Sequence, residues 1–75
     1  MDLPSPDFER VQKVAEGGDA AAQVKLGDYY YHGDLVKKNY RKAMIWYRKA
    51  AEQGNAKAEF SLGLCYHNGH GEKVR

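Results

Sequence analysis

Cysteine is almost absent from this chain. Cys65 is the only one in 75 residues, so no disulfide forms within it. A domain this short buries little surface and is marginal without a staple. A lone thiol fits a reducing compartment, and its plainest role is that of a small buried hydrophobe. Charge of one sign is also scarce. Twelve basic and ten acidic residues leave a formal net charge of +2, too little to argue for nucleic acid or an anionic membrane. No apolar run approaches the roughly 20 residues of a membrane span. The first seven residues lack both the basic and the apolar region of a secretory signal. No stretch alternates apolar with polar residues, so no strands are predicted. These absences leave one all-α domain, expected to be soluble and cytoplasmic, with no nucleic acid or membrane as partner.

The clearest helix lies in Asn39–Asn55. Ala43, Trp46, Tyr47, Ala50 and Ala51 recur at i, i+3, i+4, i+7 and i+8, one stripe of a helix with about 3.6 residues per turn. Asn39 is placed to cap its start and Gly54 to end it. Three alanines in that stripe let a neighbouring helix come close. Before it, Ser5-Pro6-Asp7 reads as a helix start, Phe8, Val11, Val14 and Ala15 as an apolar side, and Gly17-Gly18 as a stop. Asp19 and Asn55 are further caps. The pattern predicts helices over Pro6–Glu16, Ala20–His32, Tyr40–Gln53 and Ala56–His67. Their expected core is Val11, Ala15, Leu26, Tyr30, Ala43, Trp46, Tyr47, Ala50, Ala51, Leu62 and Tyr66.

The chain also repeats itself. Sliding it by 36 residues gives eleven identities in thirty-two pairs, among them Leu26 with Leu62, Gly27 with Gly63, Tyr30 with Tyr66 and Gly33 with Gly69. A period in this range, with two helices in each, indicates a short α-solenoid of antiparallel helical hairpins. A glycine inside a helix costs about 1 kcal/mol against alanine. Close approach of a partner helix is the compensation expected at Gly27 and Gly63.

The pattern Ala22-x-x-x-Leu26-Gly27-x-x-Tyr30-x-x-Gly33, followed by Lys42-Ala43-x-x-Trp46-Tyr47-x-Lys49-Ala50-Ala51-Glu52-x-Gly54, resembles the Sel1-like repeat, an α/α repeat related to the tetratricopeptide repeats. The resemblance runs from about Ala15 to Gly71. It divides the chain into an N-terminal capping helix (5–18), a first repeat (19–54) and an incomplete second repeat (55–75). Leu35 stands where that pattern has glycine, and Glu72 where it has an apolar residue. Arg10 and Asp7 replace the tryptophan and the first alanine of the capping helix. The resemblance implies a non-catalytic adaptor or scaffold without cofactor. The resembling bacterial members that carry a β-lactamase label are cysteine-rich, and one cysteine does not fit them.

The candidate partner surface follows from the same helices. Val24, Asp28 and Tyr31 share a face, ending near His32; sliding by 36 adds Phe60, Leu64 and His67, with Lys57 and Asn68 at the ends. In tetratricopeptide-like stacks this column lines the concave side, which implies a groove for a peptide or protein partner, apolar in the middle and polar at its edges. The alternative is a regulatory subunit that self-associates into a homo-oligomer through its C-terminal helix. Cys65, His67 and His70 have the types of zinc ligands, but only three of them straddle a helix end, and no metal is expected. Asp28 with His32, one turn apart, is the only ionisable pair in the column, and no catalytic residue is assigned. The basic run Lys37, Lys38, Arg41, Lys42, Arg48 and Lys49 reads as the solvated outer face of a repeat.

Overall fold

The computed structural model describes residues 6–69, and among these it contains four helices and no strand. They are α1 (Pro6–Glu16), α2 (Ala20–His32), α3 (Tyr40–Ala51) and α4 (Ala56–His67), each packed against the next. Three caps form as their residue types require. The side chains of Asp19, Asn39 and Asn55 accept from the backbone N–H groups of Ala22, Lys42 and Ala58, each three residues on. Gly18, Gly33, Gly54 and Gly69 all have positive φ after a helix end. One boundary differs from expectation. The third helix ends at Ala51, not Gln53, because the amides of Gln53 and Gly54 already turn back to the carbonyls of Ala50 and Ala51. Leu35, standing in for a glycine, has φ 66 and is 47% exposed, so the loop between α2 and α3 carries a left-handed leucine. Glu72 and His70 lie outside the described residues.

The core has two parts. Phe8, Ala15 and Leu26 close the contact of α1 with α2, while Val24, Ala43, Met44, Tyr47, Ala50, Ala58 and Cys65 fill the contacts of α3 with its neighbours. Cys65 is fully buried, as a small hydrophobe. Val11, Tyr30, Trp46, Ala51, Leu62 and Tyr66 were expected inside; they are only half-buried, Tyr30 packed between the two clusters and the others on one of them. A stack of four helices has too few layers to cover them on both sides. Phe8, Val24, Met44 and Ala58 take the interior instead.

The closest approach is where the glycine pattern placed it. A methyl group added at Gly27 would lie 2.6 Å from Tyr47 Cε1 and 3.2 Å from the Ala43 carbonyl oxygen. A polar clamp ties the two glycine turns together. Buried Gln23 donates to the Ala15 carbonyl at 3.1 Å, and Gln53 donates both to the Gly18 carbonyl at 2.9 Å and to the Gln23 side chain at 3.0 Å. The buried Gln23 amide is thereby satisfied where an orphaned one would be costly, and Gln53 partners it from the exposed turn.

Candidate binding groove

Two clefts lie between α2 and α4, and Asp28 lines both. The larger, of about 400 Å³, is lined by Ala21, Val24, Lys25, Asp28, Asn55 and Lys57. The smaller, of about 140 Å³, is lined by Asp28, Tyr31, His32, Tyr47, Ser61 and Leu64. One end therefore carries two ammonium groups beside a carboxylate. The other is aromatic and apolar, with a hydroxyl and an imidazole at hand.

Asp28 is held in place. The Tyr47 hydroxyl donates to its carboxylate at 2.5 Å. Burial, and after it this hydrogen bond to an anion, pushes the Tyr47 hydroxyl well above its ordinary range, so it stays a donor throughout the neutral range. Tyr31 is ringed by His32, Tyr40 and Tyr47, with ring centres 5.1, 5.1 and 6.5 Å away. Tyr29 turns the other way, onto Phe8 at 5.7 Å. The three consecutive tyrosines of α2 thus divide between the α1 contact and the groove.

Of the nine residues assigned from sequence, six line these clefts: Val24, Asp28, Tyr31, His32, Lys57 and Leu64. Val24 is 4% exposed and forms floor more than wall. Phe60, His67 and Asn68 are exposed and line neither cleft. Phe60 shows why a sequence period does not carry burial with it. Its counterpart Val24 packs with Ala43, Met44 and Tyr47 of α3, whereas Phe60 has no such helix on it among the described residues and is 68% exposed. Gly63 repeats the contrast with Gly27, since nothing lies within 4 Å of a methyl group built on it.

Lys25, Ser61 and Tyr47 were not assigned to the surface from sequence. A signal for Tyr47 existed. A buried tyrosine hydroxyl needs a partner, and Asp28 adjoins Gly27, the point where the ring of Tyr47 comes closest. No group of three or more His, Cys, Asp or Glu able to hold a metal occurs among the described residues. Burial pushes the Cys65 thiol up, His67 is exposed, and His70 lies outside the described residues. No helix among the described residues is long and apolar enough to cross a membrane.

Comparison with known proteins gives one consistent likeness. The family described as the Sel1 repeat matches residues 20–55 and 56–74. The secretory immunoglobulin A-binding protein EsiB of Escherichia coli is 45% identical over 48 residues, 64% of this chain and 10% of that protein. A Sel1-like repeat-containing protein of Acanthamoeba polyphaga mimivirus is 45% identical over 42 residues, 56% of this chain and 7% of its own. This chain thus spans a tenth or less of the curated relatives it matches. Among solved structures, a Sel1 repeat protein from Oxalobacter formigenes superposes with a TM-score of 0.85 at 43% identity, over 91% of this chain and 28% of that one. A protective antigen of uropathogenic Escherichia coli strains, displaying an SLR fold, superposes with a TM-score of 0.82 at 46% identity, over 87% of this chain and 14% of its own.

Proposed function

This chain belongs to the Sel1 repeat family, and we propose that within it the chain serves as a non-catalytic protein–protein interaction module, an adaptor or scaffold that takes a peptide or protein partner along the α2–α4 groove. The observation that carries this reading is the pair of clefts meeting at Asp28, with cations at one end and aromatic and apolar side chains at the other. Such a surface offers apolar anchor points and rim hydrogen bonds to an extended segment. Asp28 is fixed by Tyr47, so little ordering is needed when a partner arrives. One relative is named for binding a protein, secretory immunoglobulin A. That name favours a macromolecular partner for this surface over a small substrate.

A second reading rests on a different observation. Phe60 at 68%, Leu64 at 43% and open Gly63 leave an apolar face on α4, and self-association would cover it. Tyr31→Ala and Lys57→Glu probe the groove, while Phe60→Ser probes the exposed face. Partner capture and light scattering are then read side by side. Loss of the captured partner in the first two variants, with oligomeric state unchanged, supports the groove. Loss of an oligomer in Phe60→Ser, with every partner retained by all three variants, rejects the groove and supports self-association.

A further inference from the structure

The outward side of α3 is unlike the rest of the molecule. Between residues 37 and 49 the chain has six cations and no carboxylate, half of its basic residues in one short stretch. Ile45 stands in the middle of the helical part of that stretch and is 54% exposed. Arg41 and Arg48 lie one turn before and after it on one flank, Lys42 and Lys49 on the other. All four are exposed. Glu52, a turn beyond Arg48, ends the stripe and forms no ion pair among the described residues. The ion pair Asp7–Arg10 lies on α1, and none of the six cations has one among the described residues.

The stack does not require this arrangement. In α1, which holds the same place in the 36-residue period, Glu9 stands at the position of Ile45 and Gln12 at that of Arg48. A single apolar residue on a surface is ordinary; what sets this face apart is the frame of four exposed cations around Ile45, in a stretch without a carboxylate. We propose that the outer face of α3 is a second docking surface, on a different side of the molecule from the groove, for an acidic protein segment that brings an apolar side chain onto Ile45. Positive charge around a single apolar anchor is complementary to such a segment, with the anchor giving affinity and the charges giving encounter rate and register.

The aromatics beside the stripe argue against a nucleic acid. Single strands are held by bases stacked on open ring faces. Here the ammonium groups of Lys38, Lys42 and Lys49 sit over Tyr40, Tyr30 and Trp46, 5.6, 5.4 and 5.7 Å from the ring centres. An anionic membrane would need a broad apolar face on the helix, and Ile45 is a single residue.

The test uses the whole 75-residue chain and a short labelled peptide of glutamates around one leucine, with anisotropy as the readout. Binding that weakens as salt rises is expected. Ile45→Ser and Arg41→Glu should each weaken it at least tenfold while leaving helix content unchanged, and Tyr31→Ala in the groove should leave it intact. A peptide with serine in place of the leucine should bind as poorly to the wild type as the parent peptide does to Ile45→Ser. No binding of the parent peptide overturns the proposal, as does equal binding by Ile45→Ser. Tighter binding of a single-stranded oligonucleotide, or of phosphatidylserine vesicles, overturns it in favour of that other partner.

Discussion

Tyr47 links the core of this protein to its surface. Its ring fills the space above Gly27 and its hydroxyl fixes Asp28, the residue common to both clefts. Removing only the hydroxyl separates these roles. Tyr47→Phe should cost about 1.5–3 kcal/mol at neutral pH, the loss of a hydrogen bond to a charged acceptor. The pH dependence has a definite sign. Burial and Asp28 hold the hydroxyl's folded pKa above its unfolded value. The stability it contributes is therefore fully present below the unfolded value, and is lost as pH rises past about 10. The gap between wild type and variant should narrow there by roughly 1.4 kcal/mol per pH unit. Urea titrations of both proteins at pH 7 and pH 11 measure it, and a gap that stays constant would contradict this account. Leu35 is the opposite case, a residue whose backbone works against it. With φ 66 and half its surface exposed, it has little packing to lose. Leu35→Gly should raise stability by about 1 kcal/mol, seen as a higher midpoint in thermal melting.

At the scale of the helix, α2 and α4 carry the same pattern in different surroundings. Gly27 is pressed by a tyrosine ring that is itself pinned through its hydroxyl, so the ring has no room to retreat from a methyl group. Gly27→Ala should therefore destabilise by about 1–3 kcal/mol despite alanine's better helix propensity. Gly63→Ala meets nothing within 4 Å, and propensity alone should stabilise it by about 1 kcal/mol. Chemical denaturation of the two variants should give opposite signs at equivalent positions of one repeat. Equal signs would mean that the packing contrast between α2 and α4 has no energetic consequence. Trp46 makes a related point. It stands in the apolar stripe of α3, yet it packs onto the Phe8–Leu26 cluster from outside, with Lys49 over its ring. Its truncation should cost less than the roughly 3–5 kcal/mol typical of a fully buried aromatic.

The molecule as a whole is a line of helices, each leaning on its neighbours in sequence. In such a line stability is close to a sum of local and nearest-neighbour terms, and it need not be uniform. Helices α2 and α3 have a neighbour on each side, and the Gln23–Gln53 clamp joins the turns at their ends. Helix α4 packs mainly on α3, and it leaves Phe60 exposed at 68% and Leu64 at 43%. Amide hydrogen exchange in this chain should accordingly be faster in α4 than in α2 and α3. A partner that covers Phe60 should slow it. Equal protection of all four helices would contradict the nearest-neighbour picture.

Much of this architecture is legible in local chemistry. Caps, glycine stops and a helical stripe act over one or two turns, so Asp19, Asn39, Asn55 and the four positive-φ glycines are where their residue types put them. Periodicity adds the repeat, and the repeat adds the expectation of a helix pressed against Gly27. Burial is different, because it depends on what arrives from elsewhere in space. Val24 and Phe60 hold one position in the period, yet Val24 is enclosed in a cluster with residues of α3 and α4 while Phe60 is left exposed. The same holds for the groove. Its cations and apolar walls can be read from the column of residues on α2 and α4, but Tyr47 joins it only because a third helix brings its hydroxyl to Asp28.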